Sequence, residues 1–250
     1  MSTIIATPSE DTRELREQVL RMCFKMRDEL RYFIGTWGNI SVRLTDGILA
    51  TPTRVHYELL APEDLVVVDW DGQVIRGVRR PTSEIETHRQ LFLERADFGA
   101  IIHTHSPWAT VCAVAHRSIP VLSDEMAEVV GGEIRVSPHV PAGRHREMAL
   151  AARATIGPDA CAVLLGNHGV MAGGRDLEEA CVCAQAVERA ALMQIHAGLI
   201  GGALPIAEPL WREERHRYLF KYGTAADFED PGEGDQSCVS VSGTAGSLVR

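Results

Sequence analysis

The sequence is short of positive charge: 25 Lys and Arg stand against 34 Asp and Glu, a formal charge of -9. That is the wrong sign for gripping nucleic acid or an anionic membrane over a broad face. No stretch approaches the unbroken apolar length of a membrane span. Met1 to Arg16 also lacks the basic head and apolar core of a secretory leader, so the expected address is the cytoplasm. Disulfide spacing is missing too. Cys23, Cys112, Cys161, Cys181, Cys183 and Cys238 fall mostly in apolar runs, where a reduced thiol acts as a small hydrophobe. Cys181 and Cys183 form the one close pair, but residues i and i+2 of a helix point to different faces, so they share neither a metal nor a disulfide. There is no internal repeat. What remains is 250 residues, 45% hydrophobic and 24% charged, with a mean hydropathy of -0.05. This is the composition of one soluble globular domain with a large core, and it excludes a fibre, a disordered chain and a disulfide miniprotein.

Ser9 reads as an N-cap, and Leu15, Val19, Met22, Cys23, Met26 and Leu30 recur at helical spacing up to Gly35. Alternation then replaces that period. Ile40–Leu44 and Ile48–Ala50 around Asp46-Gly47 predict one hairpin, and Leu65–Asp69 with Gln73–Ile75 around Asp71-Gly72 predict a second. A capping-box arrangement at Ser83-Ile85-Glu86 starts a helix through Arg95, and Ala100-Ile101-Ile102 is a buried strand ending at His103. Further on come a helix over 107–115, a loop, a strand at 134–136, a helix over 144–155 and a strand at 161–165. Gly166-Asn167-His168-Gly169 breaks that strand, and extended structure resumes at 170–172. Helices over 177–199 and 208–222 follow. Residues 223–250, rich in Gly, Ser, Asp and Glu with little to bury, are expected to form a mobile acidic tail beyond a domain of residues 1–222. Hairpins mixed with helices predict an α/β fold with a mixed, mostly antiparallel sheet rather than a regular βαβ array.

His103-Thr104-His105 is the sharpest chemical signal, because residues i and i+2 of a strand project from one face and bring two imidazoles to one cation. Taken alone, the pair suits structural duty as well as metal binding. His168 adds a third imidazole between two glycines that permit a tight turn. Three neutral imidazoles leave a divalent metal an open position for a carboxylate or a substrate, and Glu84 is the candidate carboxylate. By itself Glu84 reads equally as an acid complementing a helix N-terminus.

In order along the chain, Gly35-Thr36-Trp37-Gly38-Asn39-Ile40-Ser41-Val42-Arg43, Thr51-Pro52-Thr53, Pro81-Thr82-Ser83-Glu84, His103-Thr104-His105-Ser106 and Gly166-Asn167-His168-Gly169 resemble the motifs of the class II aldolase/adducin family. Within it the pattern is most like that of the fuculose-phosphate aldolases, from about Arg13 to Tyr222. The resemblance implies a three-layer α/β/α fold. It implies zinc, or alternatively Mn2+, Co2+ or Fe2+, on His103, His105 and His168, with Glu84 a ligand at rest that turns to acid/base duty. The metal of such an aldolase chelates the ketose carbonyl and its neighbouring hydroxyl and stabilises the enediolate left by carbon–carbon cleavage. The same resemblance places a substrate phosphate against Gly38, Asn39, Thr53, Thr82 and Ser83, and free amides at a helix start suit an anion. It further implies a homotetramer with sites between subunits, and Tyr222 as a residue that helps close the site.

Two departures bear on the substrate. Arg54 replaces the glycine that follows Thr53 in the fuculose-phosphate pattern, and a guanidinium there suits a phosphate or a carboxylate. Leu122 to Glu128 lacks a tyrosine that those enzymes place there, with Glu125 in its stead. The expected activity is cleavage of a ketose 1-phosphate, fuculose-like or deoxypentulose-like, into dihydroxyacetone phosphate and an aldehyde. The alternatives are decarboxylation of a hydroxylated aromatic or oxo acid, 4-epimerisation of a sugar phosphate, for which an acid near Glu128 is a point in favour, and a non-catalytic scaffold. His88, one helical turn after Glu84, is expected near the site, whereas His56, His116, His139, His145, His196 and His216 carry no partner pattern. The acidity itself divides: residues 223–250 account for -4 of the charge and the domain for -5. A cation and helix-start amides can make the local potential positive, so a small anionic substrate is not excluded.

Overall fold

Helix α1 (Arg13–Phe24) buries Val19, Leu20, Met22 and Cys23 along one stripe. Its N-cap is Thr12 rather than Ser9: the Thr12 hydroxyl accepts a hydrogen bond from Leu15 N at 3.1 Å, while Ser9 is extended and bridges to Leu44. The helix also stops before Gly35. Lys25–Glu29 form a wider π-helical turn that buries Met26, and Arg31 at φ +60° leads the chain out. The structure, a computed structural model, describes residues 4–224. The expected acidic tail, with Cys238, lies outside the described residues beyond Thr224.

The two expected hairpins are β1 (Asn39–Arg43) with β2 (Gly47–Ala50), and β3 (Val66–Asp69) with β4 (Val74–Arg76). With β5 (Ala100–Thr104), β6 (Arg135–Val136), β7 (Ala162–Leu165) and β8 (Gly169–Gly174), they form an eight-stranded sheet ordered β4-β3-β2-β1-β5-β8-β7-β6. Every neighbouring pair is antiparallel except β6 with β7. The sheet is therefore mixed and mostly antiparallel, as the hairpin pattern predicts.

Alternation along each strand sends successive side chains to opposite faces. Ile40, Val42, Leu49, Ala100 and Ile102 pack with the stripe of α1. Ile48, Ala50 and Ile101 instead join Leu91 and Phe92 of α2 (Ile85–Glu94) and Met148, Ala152 and Ile156 of α4 (His145–Ile156). Each fully buried Val, Leu, Ile or Phe among them contributes about 1.5–3 kcal/mol over an exposed one. Helix α5 (Leu177–Ala197) gives Ala180 and Cys181 to the first cluster and Cys183, Ala184 and Val187 to the second. The two cysteines thus face different ways, and the five described cysteines are free and buried.

Helices α3 (Pro107–Val114) and α6 (Glu208–Phe220) complete the set. Where a loop was expected, Met126–Val130 form a second π-helical turn that buries four apolar residues and ends at Gly131, φ +79°. Five residues are too few for a helical period to show in sequence. Among the described residues no helix is long and apolar enough to cross a membrane.

Candidate active site

The site lies on the α2 side of the sheet, where β1 and β5 bring Asn39 directly opposite His103. Ile101 of β5 packs toward α2, and the two-residue period places His103 on that same side. His105 follows past the strand end, where its backbone N–H donates to Tyr32 O at 3.0 Å. Trp37 lies over its ring at 6.0 Å and 20°. Helix α3 begins two residues later, and its start is capped from a distance. The buried Glu188 of α5 accepts from Trp108 N at 2.9 Å and Ala109 N at 2.8 Å. Eighty residues separate these partners, and no local signal marks Glu188.

His168 comes from the turn of a β7–β8 hairpin, closed by the pair Leu165 and Gly169. The left-handed residue of that turn is Asn167, φ +58°, rather than a glycine. Three contacts brace it. Asn167 N donates to Ala113 O at 3.2 Å, His116 Nε2–H to Asn167 Oδ1 at 2.7 Å, and His139 Nδ1–H to Gly166 O at 3.1 Å. Gly169 answers a packing demand, since a Cβ there would lie 2.4 Å from Thr104 O and 3.2 Å from His103 Cε1.

Glu84 occupies the N-cap position of α2 but makes no capping bond with its side chain. The capping box expected at Ser83 and Glu86 does not form. Ser83 is exposed, and the Glu86 carboxylate is taken by Arg89 at 2.8 Å and Gln90 at 2.9 Å. Freed from capping, Glu84 turns to the histidines: Oε1 lies 3.0 Å from His168 Nε2 and Oε2 3.3 Å from His103 Nε2. His103 Nε2 and His105 Nε2 are 3.0 Å apart. His103, His105 and His168 offer nitrogens all within 4.8 Å of one another.

His103 donates its Nδ1–H to Val170 O at 2.9 Å, so its Nε2 lone pair faces the centre. Burial, reinforced by the neighbouring imidazoles, holds the pKa of His105 down to about 3. Burial likewise lowers that of His103, partly offset by Glu84. Glu84 is buried, which alone would raise its pKa, but His103, His168 and the Asn39 amide together hold it below the carboxylate range. Three imidazoles converging beside a carboxylate are the donor set of a divalent cation with an exchangeable position.

Beside this group the loops at 51–54 and 80–83 are zipped together by Thr53 N to Arg80 O at 3.1 Å and Thr82 N to Thr51 O at 2.9 Å. Gly38, φ +98°, leaves no room for a side chain, since a Cβ would come within 2.2 Å of the Phe33 ring. Asn39 donates its Nδ2–H to Glu84 Oε2 at 2.6 Å. Thr82 is buried, and its hydroxyl accepts from Glu84 N at 3.4 Å. Arg54 is exposed and left-handed at φ +58°. Among the described residues no ion pair or side-chain hydrogen bond holds its guanidinium.

Tyr222 lies just past α6, 60% exposed, with its ring against Tyr218. Glu128 is held by Arg217 of α6, and Glu125 faces Arg189 at 4.0 Å. None of these partners belongs to the histidine group. His88 does reach the site: its Nε2–H donates to Asn39 Oδ1 at 2.6 Å. Its helical spacing from Glu84 was the signal.

Comparison with known proteins gives the family of the chain. Residues 17–195 match the family model described as Class II Aldolase and Adducin N-terminal domain. A 5-methylthioribulose-1-phosphate/5-deoxyribulose-1-phosphate aldolase of Rhodospirillum rubrum is 38% identical over 77% of this chain and 84% of its own. A 5-deoxy-D-ribulose 1-phosphate aldolase of Bacillus thuringiensis is 35% identical over 67% of this chain and 78% of its own. Among solved structures, an L-fuculose 1-phosphate aldolase superposes with a TM-score of 0.78 at 28% identity, over 84% of this chain and 98% of that one. The chain belongs to the class II aldolase and adducin N-terminal domain family, and it is a carbon–carbon lyase of the aldolase type.

Proposed function

We propose that this protein is a zinc-dependent aldolase that cleaves a ketose 1-phosphate, of the deoxypentulose or fuculose kind, to dihydroxyacetone phosphate and an aldehyde. The observation that carries the reading is the convergence of the His103, His105 and His168 nitrogens, with Glu84 held between two of them. Mn2+, Co2+ or Fe2+ suits the same nitrogen-rich donors. When bound, the cation polarises the substrate carbonyl and its neighbouring hydroxyl. The chain's own residues do the rest. As the carbon–carbon bond breaks, the hydroxyl that becomes the aldehyde carbonyl gives up its proton; Glu84, ionised at rest, takes up a proton and returns it to the carbon that lost the bond, and in the condensation direction it removes that proton. Gly38, Asn39, Thr53, Thr82 and Ser83 hold the phosphate at the N-terminus of α2, whose dipole favours an anion. Arg54, whose guanidinium has no partner among the described residues, adds a positive charge beside them. Tyr222, just past α6, helps close the site, and the assembly is a cytoplasmic homotetramer with sites between subunits. The names of the two aldolase relatives support a phosphorylated deoxypentulose as the first substrate to try.

Zinc-loaded protein incubated with a panel of ketose 1-phosphates and of hydroxy and oxo acids tests the reading. Dihydroxyacetone phosphate release is expected, whereas carbon dioxide release or an isomeric sugar phosphate would replace the aldolase assignment with decarboxylation or epimerisation. Glu84→Gln should reduce kcat by at least about 100-fold, the lower range for a lost proton-transfer group, with metal still bound by the histidines. Full activity in that variant removes Glu84 from the chemistry.

A further inference from the structure

Behind Glu84 runs a buried chain of side chains whose far members, Ser41 and His88, the reading above leaves unused. Ser41 is the next residue of β1 on the same sheet face as Asn39, and its hydroxyl lies 2.6 Å from His88 Nδ1. His88 Nε2 lies 2.6 Å from Asn39 Oδ1, and Asn39 Nδ2 lies 2.6 Å from Glu84 Oε2. Ser41 and His88 are fully buried, and Asn39 and Glu84 nearly so, at 6% and 7% exposure.

One polarity satisfies every member. An ionised carboxylate accepts only, so Asn39 must present its N–H2 to Glu84 and its carbonyl to His88. The carbonyl accepts only, so His88 must carry its proton on Nε2. Nδ1 is then a bare acceptor, which the Ser41 hydroxyl fills. Swapping the ends of the Asn39 amide would set its oxygen against the carboxylate and its N–H2 against the imidazole N–H, and burial would leave both without relief.

We infer that Ser41 and His88 are positioning residues, which lock the Asn39 amide with its N–H2 toward Glu84 Oε2 and through it hold the carboxylate against the histidine group. This rests on the metal-dependent reading of that group. The tie reaches the reacting end of the site without touching it. It also explains why His88 lies one helical turn from Glu84 on α2. The spacing puts both side chains on the face that meets β1, where the cross-strand register has already set Asn39 beside His103.

Titration of Co2+ into the metal-free full-length chain tests this, followed by the visible d–d spectrum and by calorimetry, with the melting midpoint measured in parallel. His88→Phe keeps the bulk and removes both hydrogen bonds, whereas His88→Gln restores a donor toward Asn39 Oδ1. Wild type and His88→Gln should give the same spectrum and a Kd within about 3-fold of each other. His88→Phe should bind Co2+ about 10–100-fold more weakly, the effect of losing an outer partner of a ligand, with an altered band intensity because the carboxylate no longer sits in one place. A folded His88→Phe with wild-type affinity and spectrum overturns the inference. So does a His88→Gln as weak as His88→Phe, since packing rather than the hydrogen bond would then be what matters. Should His88→Phe not fold, Ser41→Ala decides: a weakening of about 3–10-fold with an altered spectrum is expected, and an unchanged spectrum and Kd overturn the inference. Absence of stoichiometric Co2+ binding in the wild type would instead remove the metal-site reading on which the inference depends.

Discussion

Replacing His88 by phenylalanine should flatten the acid side of the protein's stability curve. Burial, only partly opposed by Glu84, lowers the His88 pKa from an ordinary 6.5 to about 3. The groups facing it are Ser41 and Asn39 of β1, with Glu84 and His103 beyond them. Its folded pKa is depressed, so at pH 5 the unfolded chain has taken the proton and the native protein has not. Stability is therefore complete above about pH 6.5 and is lost as the pH falls toward about 3. Each pH unit in that window costs about 1.36 kcal/mol for one proton. Between pH 8 and pH 5 the wild type should thus lose about 2 kcal/mol on account of His88 alone. Urea unfolding of the chelator-treated protein at both pH values gives the loss directly. The same pair of curves for His88→Phe cancels every other titrating group to first order. The variant's loss should be smaller by about 2 kcal/mol. Equal losses, within about 0.5 kcal/mol, would show that the native protein protonates His88 freely, which its burial between two hydrogen-bond partners forbids.

Gly169→Ala should cost about 1–3 kcal/mol in unfolding free energy, as overpacking does, because the added methyl meets the Thr104 carbonyl and the His103 ring. It should also weaken Zn2+ binding, and wild-type values for both would show that β5 and β8 part without strain. Arg54→Gly relieves a left-handed conformation that costs an L-residue roughly 1–2 kcal/mol. It should therefore leave the melting midpoint unchanged or slightly raised, while KM for a ketose 1-phosphate rises about 5–10-fold through loss of an exposed charged contact. An unchanged KM removes Arg54 from phosphate binding.

Where the period was long or the turn residues explicit, elements were legible in the residues. Asp46-Gly47 and Asp71-Gly72 mark hairpins that the structure contains, and α4, α5 and α6 lie within a few residues of their expected bounds. The ends of helices were less so. Thr12 caps α1 in place of Ser9 because Ser9 is committed to a bridge with Leu44 across the fold, a competition invisible to local spacing. Ser83 loses its expected capping role for a similar reason. Glu86, its partner in a capping box, is held by Arg89 and Gln90, and Glu84 at the N-cap is drawn to the histidines.

The sequence alone determined which residues bring chemistry: imidazoles at i and i+2 of one strand, a third between glycines, an acid at a helix start, and a global charge that forbids a polyanion. Local geometry is enough for that, because side-chain direction repeats every two residues in a strand. Only the tertiary structure decided that these groups meet. The register of β1 on β5 sets Asn39 opposite His103, the β7–β8 turn brings in His168, and Glu188 caps α3 from α5. The polarity of the Ser41–His88–Asn39–Glu84 chain was decided there too. A hydrogen-bond direction is forced only when burial removes water as an alternative partner, and burial belongs to the folded chain as a whole.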